Sequence, residues 1–410
     1  MAQFASEVRV SLMTINFFSI LLIATVSVGC LLILALLTSR QKNKTANYLL
    51  CSLIVLFSFY ALIKILSNTQ DITDFPFLIR TYRPVFVLAC ANFYFYCIAL
   101  TMPDFKFKIQ NLYHLVPVSI YSLLTLPFYF SSNAEKIASL SQQPFTLSWS
   151  IERGFFVLIF AVYFSLSYRV VSRYQASIKE QFSNTDKIKL DWLKKLTILF
   201  AVIWIVALFR FLSAYGKVGY ENKFMVPILL CATIFLIAWR ALKQPEIFSD
   251  RWNEQGSFRH QERNKLQNNF VEPVKESSVK PSPAKYESSS LSESEIEQYK
   301  LNLVEYLEQE KPYIDPDLKL QHLADHLGVH SHQLSQIINT HLQKNFYDLI
   351  NSLRINEAKQ RLIDPKNQQM NIVTVAFDVG FNSKSTFNSA FKKYTNMTPT
   401  QFKKSHSIQA

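Results

Sequence analysis

Seven long apolar stretches occupy the first part of the chain, at about 16–38, 47–66, 84–102, 112–130, 154–172, 192–214 and 224–242. Each approaches the roughly 20 predominantly apolar residues that an α-helix needs to cross a bilayer core. The pattern therefore predicts seven transmembrane helices. The first, Asn16 to Leu37, is too long for the apolar region of a signal peptide; it lacks a basic leading segment, and no A-x-A site follows. At Gln244 the apolar rhythm stops. As far as about Leu291 the chain offers Ser277, Ser278, Pro281, Pro283 and Ser288–Ser290 among mixed charges. Such a composition buries too little apolar surface to offset ordering entropy. It predicts a flexible linker with a root-mean-square reach of roughly 40 Å.

From Ser292 the pattern is that of short amphipathic helices. Ser292 and Glu295 form a capping box that opens a helix up to Glu310, with Ile296, Leu301, Val304 and Leu307 as its apolar face. Pro312 and Pro316 close it. The stretch from Leu320 to Ile337 then has the spacing of a helix-turn-helix. Ala324 is small where a second helix must cross closely, and Gly328 supplies a left-handed turn. Leu323, Leu327, Val329, Leu334 and Ile337 would form the shared core. A long helix follows, Phe346 to Ile363, ended by Asp364 and Pro365. Beyond it Ala376 and Gly380 repeat the four-residue spacing of Ala324 and Gly328. The next core residue, Phe387, comes one position later than in the first copy, which predicts a longer second turn. Thr398 and Pro399 open a short final helix.

The expected fold class is all-α: a seven-helix transmembrane bundle at 1–243, a flexible cytoplasmic linker at 244–291, and an all-helical domain at 292–410. That domain carries two helix-turn-helix motifs joined by a long helix.

The net charge of +13 invites a nucleic-acid reading, but its location changes that. Residues 1–243 hold 23 Lys and Arg against 10 Asp and Glu, whereas residues 291–410 balance at 13 against 13. The excess is therefore a topology signal. Basic residues concentrate in the first, third and fifth connections between apolar stretches, which places the N-terminus outside and the C-terminal domain in the cytoplasm. The expected location is a bacterial inner membrane.

Candidate chemistry in the apolar half is sparse. Arg210 alone sits well inside a predicted span; it could meet an anionic signal ligand or reach the outer interface. No Asp or Glu falls mid-span, which argues against ion-coupled transport. Cys30, Cys51, Cys90, Cys97 and Cys231 all lie in apolar runs without CxxC spacing, so they read as buried small hydrophobes. His322, His326, His330, His332 and His341 lack a carboxylate or thiolate at metal-site spacing, and no metal or cofactor is expected. No phosphate loop, kinase or nucleophile motif supports an enzyme.

The paired motifs, 52 residues apart, resemble the DNA-binding domain of the AraC/XylS family of bacterial regulators. The resemblance covers about residues 296–405 and is most specific over Ala376–Phe402, AFDVGFNSKSTFNSAFKKYTNMTPTQF. It implies a monomeric unit that puts two recognition helices into successive major grooves of double-stranded DNA and contacts RNA polymerase. An apolar half fused to this domain resembles membrane-bound regulators of Bacteroidetes-type bacteria. Carried onto this chain, the first recognition helix would present Ser331, His332, Ser335, Gln336 and Asn339, with Gln336 suited to adenine. The second would present Lys384, Ser385, Asn388 and Ser389, with Lys392 and Lys393 on phosphate. Gln336 and Ser389 stand where many relatives carry Arg, which implies modest affinity.

The resulting expectation is a one-component, membrane-bound transcription regulator sensing an unknown signal ligand. A homodimer formed through the membrane half would raise its effective concentration on DNA. The alternative is a membrane receptor whose soluble domain docks a protein partner.

Overall fold

The computed structural model describes residues 17–38, 43–68, 71–102, 105–141, 147–186, 188–215, 225–243, 292–365 and 369–407. The linker expected at 244–291 lies outside them. Every regular element among the described residues is helical, and the β-type pairing there is an isolated bridge between Phe182 and Lys319. The chain divides into two compact units: residues 1–172 with 191–265, and residues 173–190 with 266–410.

The first unit contains α1 (Phe17–Thr38), α2 (Lys44–Asn68), α3 (Tyr82–Thr101), α4 (Val116–Phe130), α5 (Asn133–Ser141), most of α6 (Leu147–Gln181), α7 (Asp191–Tyr215) and α8 (Met225–Lys243). In α1, Leu22, Leu32 and Leu36 are buried while Leu31, Leu34 and Leu37 are exposed. A helix apolar on every side has no water-facing stripe. The helix pairs α1–α2, α2–α3, α1–α8 and α7–α8 pack against one another. At Gly29 of α1 an added Cβ would come within 3.0 Å of the Ile54 side chain on α2, so the small residue permits that approach.

One expectation about this unit needs correction. Among the described residues five helical stretches are long and apolar enough to cross a membrane, not seven: Ser19–Thr38, Lys44–Ser67, Pro76–Thr101, Ile109–Phe130 and Ser150–Gln181. The shortfall lies in the last two helices. The side chains of α7 are described only in part, and the described apolar stretch of α8 is Val226–Ile237. Arg210 falls in α7, and its side chain is outside the described residues. Glu152, which the sequence left just outside a span, is buried in α6 and accepts from Arg83 on α3 and from the Tyr121 hydroxyl on α4, the latter at 2.8 Å. Burial of either charge alone would be costly, so the pair is placed together with a hydroxyl on the same oxygen. All five cysteines are free thiols.

In the second unit lie α9 (Glu293–Gln309), α10 (Leu320–Leu327), α11 (Ser331–His341), α12 (Phe346–Ile363), α13 (Ile372–Asp378), α14 (Lys384–Thr395) and α15 (Pro399–Ser407). Ser292 and Glu295 form the expected capping box at the start of α9. The apolar face of α9 differs from the expected one. Leu307 is buried as expected, but Leu303 is buried beside it with Tyr306, whereas Leu301 and Val304 face outward. The inward stripe includes Tyr306, whose ring stacks on His326 at 3.6 Å, and an aromatic anchor outweighs two aliphatic residues on the opposite side.

α12 is the spine of the unit. Its first half, Phe346, Leu349 and Ile350, joins a core with Leu323, Ala324, Leu334 and Ile338. Its second half, Ile355, Ala358 and Leu362, joins a separate core with Ala376, Phe387, Phe391 and Phe402. One helix therefore supports both helix-turn-helix motifs.

Candidate nucleic-acid interface

The first motif is α10–turn–α11. Ala324 is fully buried where the two helices cross. Gly328 adopts φ +67°, and the Val329 N–H returns to the Ala324 carbonyl at 3.0 Å, so the chain reverses within three residues. α11 buries Leu334, Ile337 and Ile338 and leaves His332, Gln336 and Asn339 exposed. Ser335 is half-buried, with its hydroxyl 3.4 Å from Asn339 Nδ2. Ser331, also half-buried, donates its hydroxyl to the Gln321 side chain of α10. It fixes the start of the helix against its neighbour and is less available than the outer three.

The second motif, α13–turn–α14, repeats this with one extra residue between the glycine and the second helix, as the spacing predicted. Gly380 takes φ +95°, the Phe381 N–H returns to the Ala376 carbonyl at 3.0 Å, and Ser383 caps α14 by accepting from the Thr386 N–H at 3.2 Å. Phe387, Ala390 and Phe391 point inward. Lys384, Ser385, Ser389, Lys392 and Lys393 are exposed and Asn388 is half-buried. The ammonium of Lys393 donates to Asp348 of α12 at 2.7 Å. Burial alone would raise the Asp348 carboxyl, but hydrogen bonds from Lys393, Tyr394 and Asn345 outweigh it and hold the group below its ordinary 3.8.

Each recognition helix thus has one face locked in a core and an outer face of amides, hydroxyls and amines. Amides and hydroxyls match base edges in a major groove, and ammonium groups match phosphate. Against known proteins, residues 323–405 match the helix-turn-helix domain family. An uncharacterized HTH-type transcriptional regulator of Pseudoalteromonas carrageenovora is 33% identical over 125 residues, covering 30% of this chain and 72% of that protein. The chain belongs to the AraC-type helix-turn-helix transcriptional regulators. The raffinose operon transcriptional regulatory protein of Pediococcus pentosaceus is 31% identical over 86 residues, 21% of this chain and 30% of its own length. Among solved structures, the C-terminal domain of a two-component response regulator from Fusobacterium nucleatum is 25% identical over 27% of this chain and 98% of its own, with a TM-score of 0.23.

In this AraC-type regulator the structure also brings in residues that the sequence reading passed over. Arg354 of α12 is 1% exposed. Its Nε donates to the Tyr313 carbonyl at 2.6 Å and its Nη2 to the Asp315 carbonyl at 2.7 Å. Burial pulls the guanidinium down to about 10, opposed by Asp315, Tyr347 and Asp317. A signal was available: Arg354 lies four residues after Ile350 and four before Ala358, on the apolar stripe of the helix, where an arginine is costly unless hydrogen-bonded. Glu357, three residues on, takes Lys311 at 2.9 Å and Arg361 at 3.0 Å. For Ser183 and Asp186, which also reach this unit, the sequence offered no signal. Both sit in a segment that read only as a basic connection.

Proposed function

We propose that this regulator is anchored in a membrane through its apolar unit and reads double-stranded DNA with α11 and α14. The observation that carries DNA reading is the pair of outer faces. His332, Gln336 and Asn339 on one helix, and Lys384, Ser385, Ser389 and Lys392 on the other, stand exposed on helices whose opposite faces are buried in cores that share α12. Gln336 has the paired donor and acceptor that adenine presents in reverse. Membrane anchoring is supported by the five apolar helices and by outward leucines such as Leu31 and Leu34, which find their match in lipid. The basic first, third and fifth connections support a cytoplasmic C-terminal unit. The apolar unit is the sensor in this reading, and promoter contact by RNA polymerase is its output.

The test is capture of chromatin by the intact protein in its native host. The expected result is an enriched, directly repeated sequence whose recovery falls with rising salt, through counterion release. Replacing Gln336 and Lys384 together by Ala should abolish the enrichment. No enriched sequence would sink DNA reading, and unchanged enrichment in the double variant would remove these faces from it. Alkaline carbonate extraction of membranes tests anchoring separately: the protein should stay in the pellet.

A further inference from the structure

Residues 182–186 begin the connection between α6 and α7, yet in the structure they belong to the compact unit that holds both helix-turn-helix motifs. Their contacts there are specific. Ser183 donates from its backbone N–H at 3.3 Å and from its hydroxyl at 2.7 Å to the Leu318 carbonyl, beside the Phe182–Lys319 bridge. The Ser183 carbonyl accepts from Asn351 Nδ2 and Arg354 Nη1, each at 3.3 Å, and Arg354 Nη2 reaches Ser183 Oγ at 3.1 Å. Ser183 is 1% exposed, as deeply buried as Arg354 itself. Three residues on, the Asp186 carboxylate accepts from the Ser383 hydroxyl at 2.9 Å and from the Thr386 hydroxyl. One short stretch is therefore anchored on the helix shared by both motifs and ends with a carboxylate on the first turn of α14.

That first turn is where a recognition helix meets DNA, its N-terminal residues toward base edges and phosphates close by. Free N–H groups, the helix dipole and two hydroxyls make it a favourable place for an anion. Asp186 already supplies one. Its charge has the sign of a phosphate, it occupies the donors of Ser383 and Thr386, and it stands beside Lys384 and Ser385, two of the side chains assigned to DNA. We propose that residues 182–186 are an intramolecular latch that keeps α14 off DNA. Ser183 on Arg354 is its anchor and Asp186 on Ser383 and Thr386 its plug. Because the latch is covalently continuous with α6 and α7, a displacement of either helix withdraws it. This mechanism rests on the DNA-reading function proposed above and adds how that function is gated.

The experiment uses the full chain in lipid nanodiscs, with sheared genomic double-stranded DNA as the probe and filter retention as the readout. Asp186→Ala should raise DNA affinity on the order of tenfold, the equivalent of losing one charge-assisted contact. Asp186→Cys combined with Ser383→Cys should be joined by a short, reducible thiol cross-linker and then retain less DNA than wild type, with recovery on reduction. Equal or weaker DNA retention by Asp186→Ala overturns the latch, as does failure of the cysteine pair to cross-link. If the pair cross-links but no form retains DNA, reduced or not, DNA reading itself fails and the gate with it, while the docking contact stands.

Discussion

The two helix-turn-helix motifs are built on one spacing, Ala324 to Gly328 and Ala376 to Gly380, but their turns have different surroundings. An added Cβ at Gly328 would meet nothing within 4 Å; the glycine is there for its left-handed φ of +67° alone. At Gly380 the same atom would lie 2.6 Å from the Ile314 carbonyl, 2.8 Å from that of Tyr313 and 2.9 Å from Arg354 Nε. The first turn faces solvent, and the second is pressed against the chain that leads into the first motif. A glycine that the sequence presents as one element used twice thus performs two physical tasks. The difference extends to the recognition helices, since α11 starts on a contact within its own motif and α14 starts against Asp186.

The largest effect that would break this comparison belongs to Gly380→Ala. Overpacking against two carbonyls together with left-handed strain should cost about 3 kcal/mol or more. Hydrogen–deuterium exchange should show lost protection in both α12 and α14. Protection equal to that of Gly328→Ala would remove the distinction between the turns. Next comes Arg354→Met, which leaves the Tyr313 and Asp315 carbonyls without their donor. About 2 kcal/mol is expected, visible as faster exchange in both motifs because α12 enters both cores. Gly328→Ala should cost only about 1 kcal/mol, confined to α10 and α11, since backbone strain is its whole effect.

Smallest of all is Lys393→Ala, which removes a partly exposed ion pair worth less than about 1 kcal/mol. Its pH dependence carries a sign. The folded-state Asp348 carboxyl lies below its unfolded value, so the pair's stabilisation is fully present above the unfolded value and fades as pH falls through the depressed one. Wild type and Lys393→Ala should therefore differ in thermal stability at neutral pH and converge in acid. A constant difference down to low pH would dissociate Lys393 from Asp348. At neutral pH the same pairing engages the ammonium for which the sequence suggested a phosphate contact.

Much of the second unit is legible in the sequence alone. The Ser292–Glu295 capping box, both Ala-to-Gly turns, the long α12 and the extra residue before α14 all follow from local rules of helix start, helix stop and close crossing. Where the reading slipped, a longer-range choice prevailed. α9 kept Leu307 inward as expected but turned Leu303 in and Leu301 and Val304 out, because Tyr306 stacks on His326, a partner outside its own helix. In the apolar unit, nothing local announces that Arg83 and Tyr121 converge on Glu152.

The sequence by itself determined the helical class, the two motifs and the exposed faces of α11 and α14. Those depend on periodicity and turn chemistry, which act within a few residues. Only the tertiary structure decided that Gly380 is jammed where Gly328 is free, that Arg354 belongs in a core, and that Asp186 sits on α14. Those contacts join residues as many as 200 positions apart. No periodic pattern reports such a pairing, because the free energy that selects it exists only once the partners share a buried site.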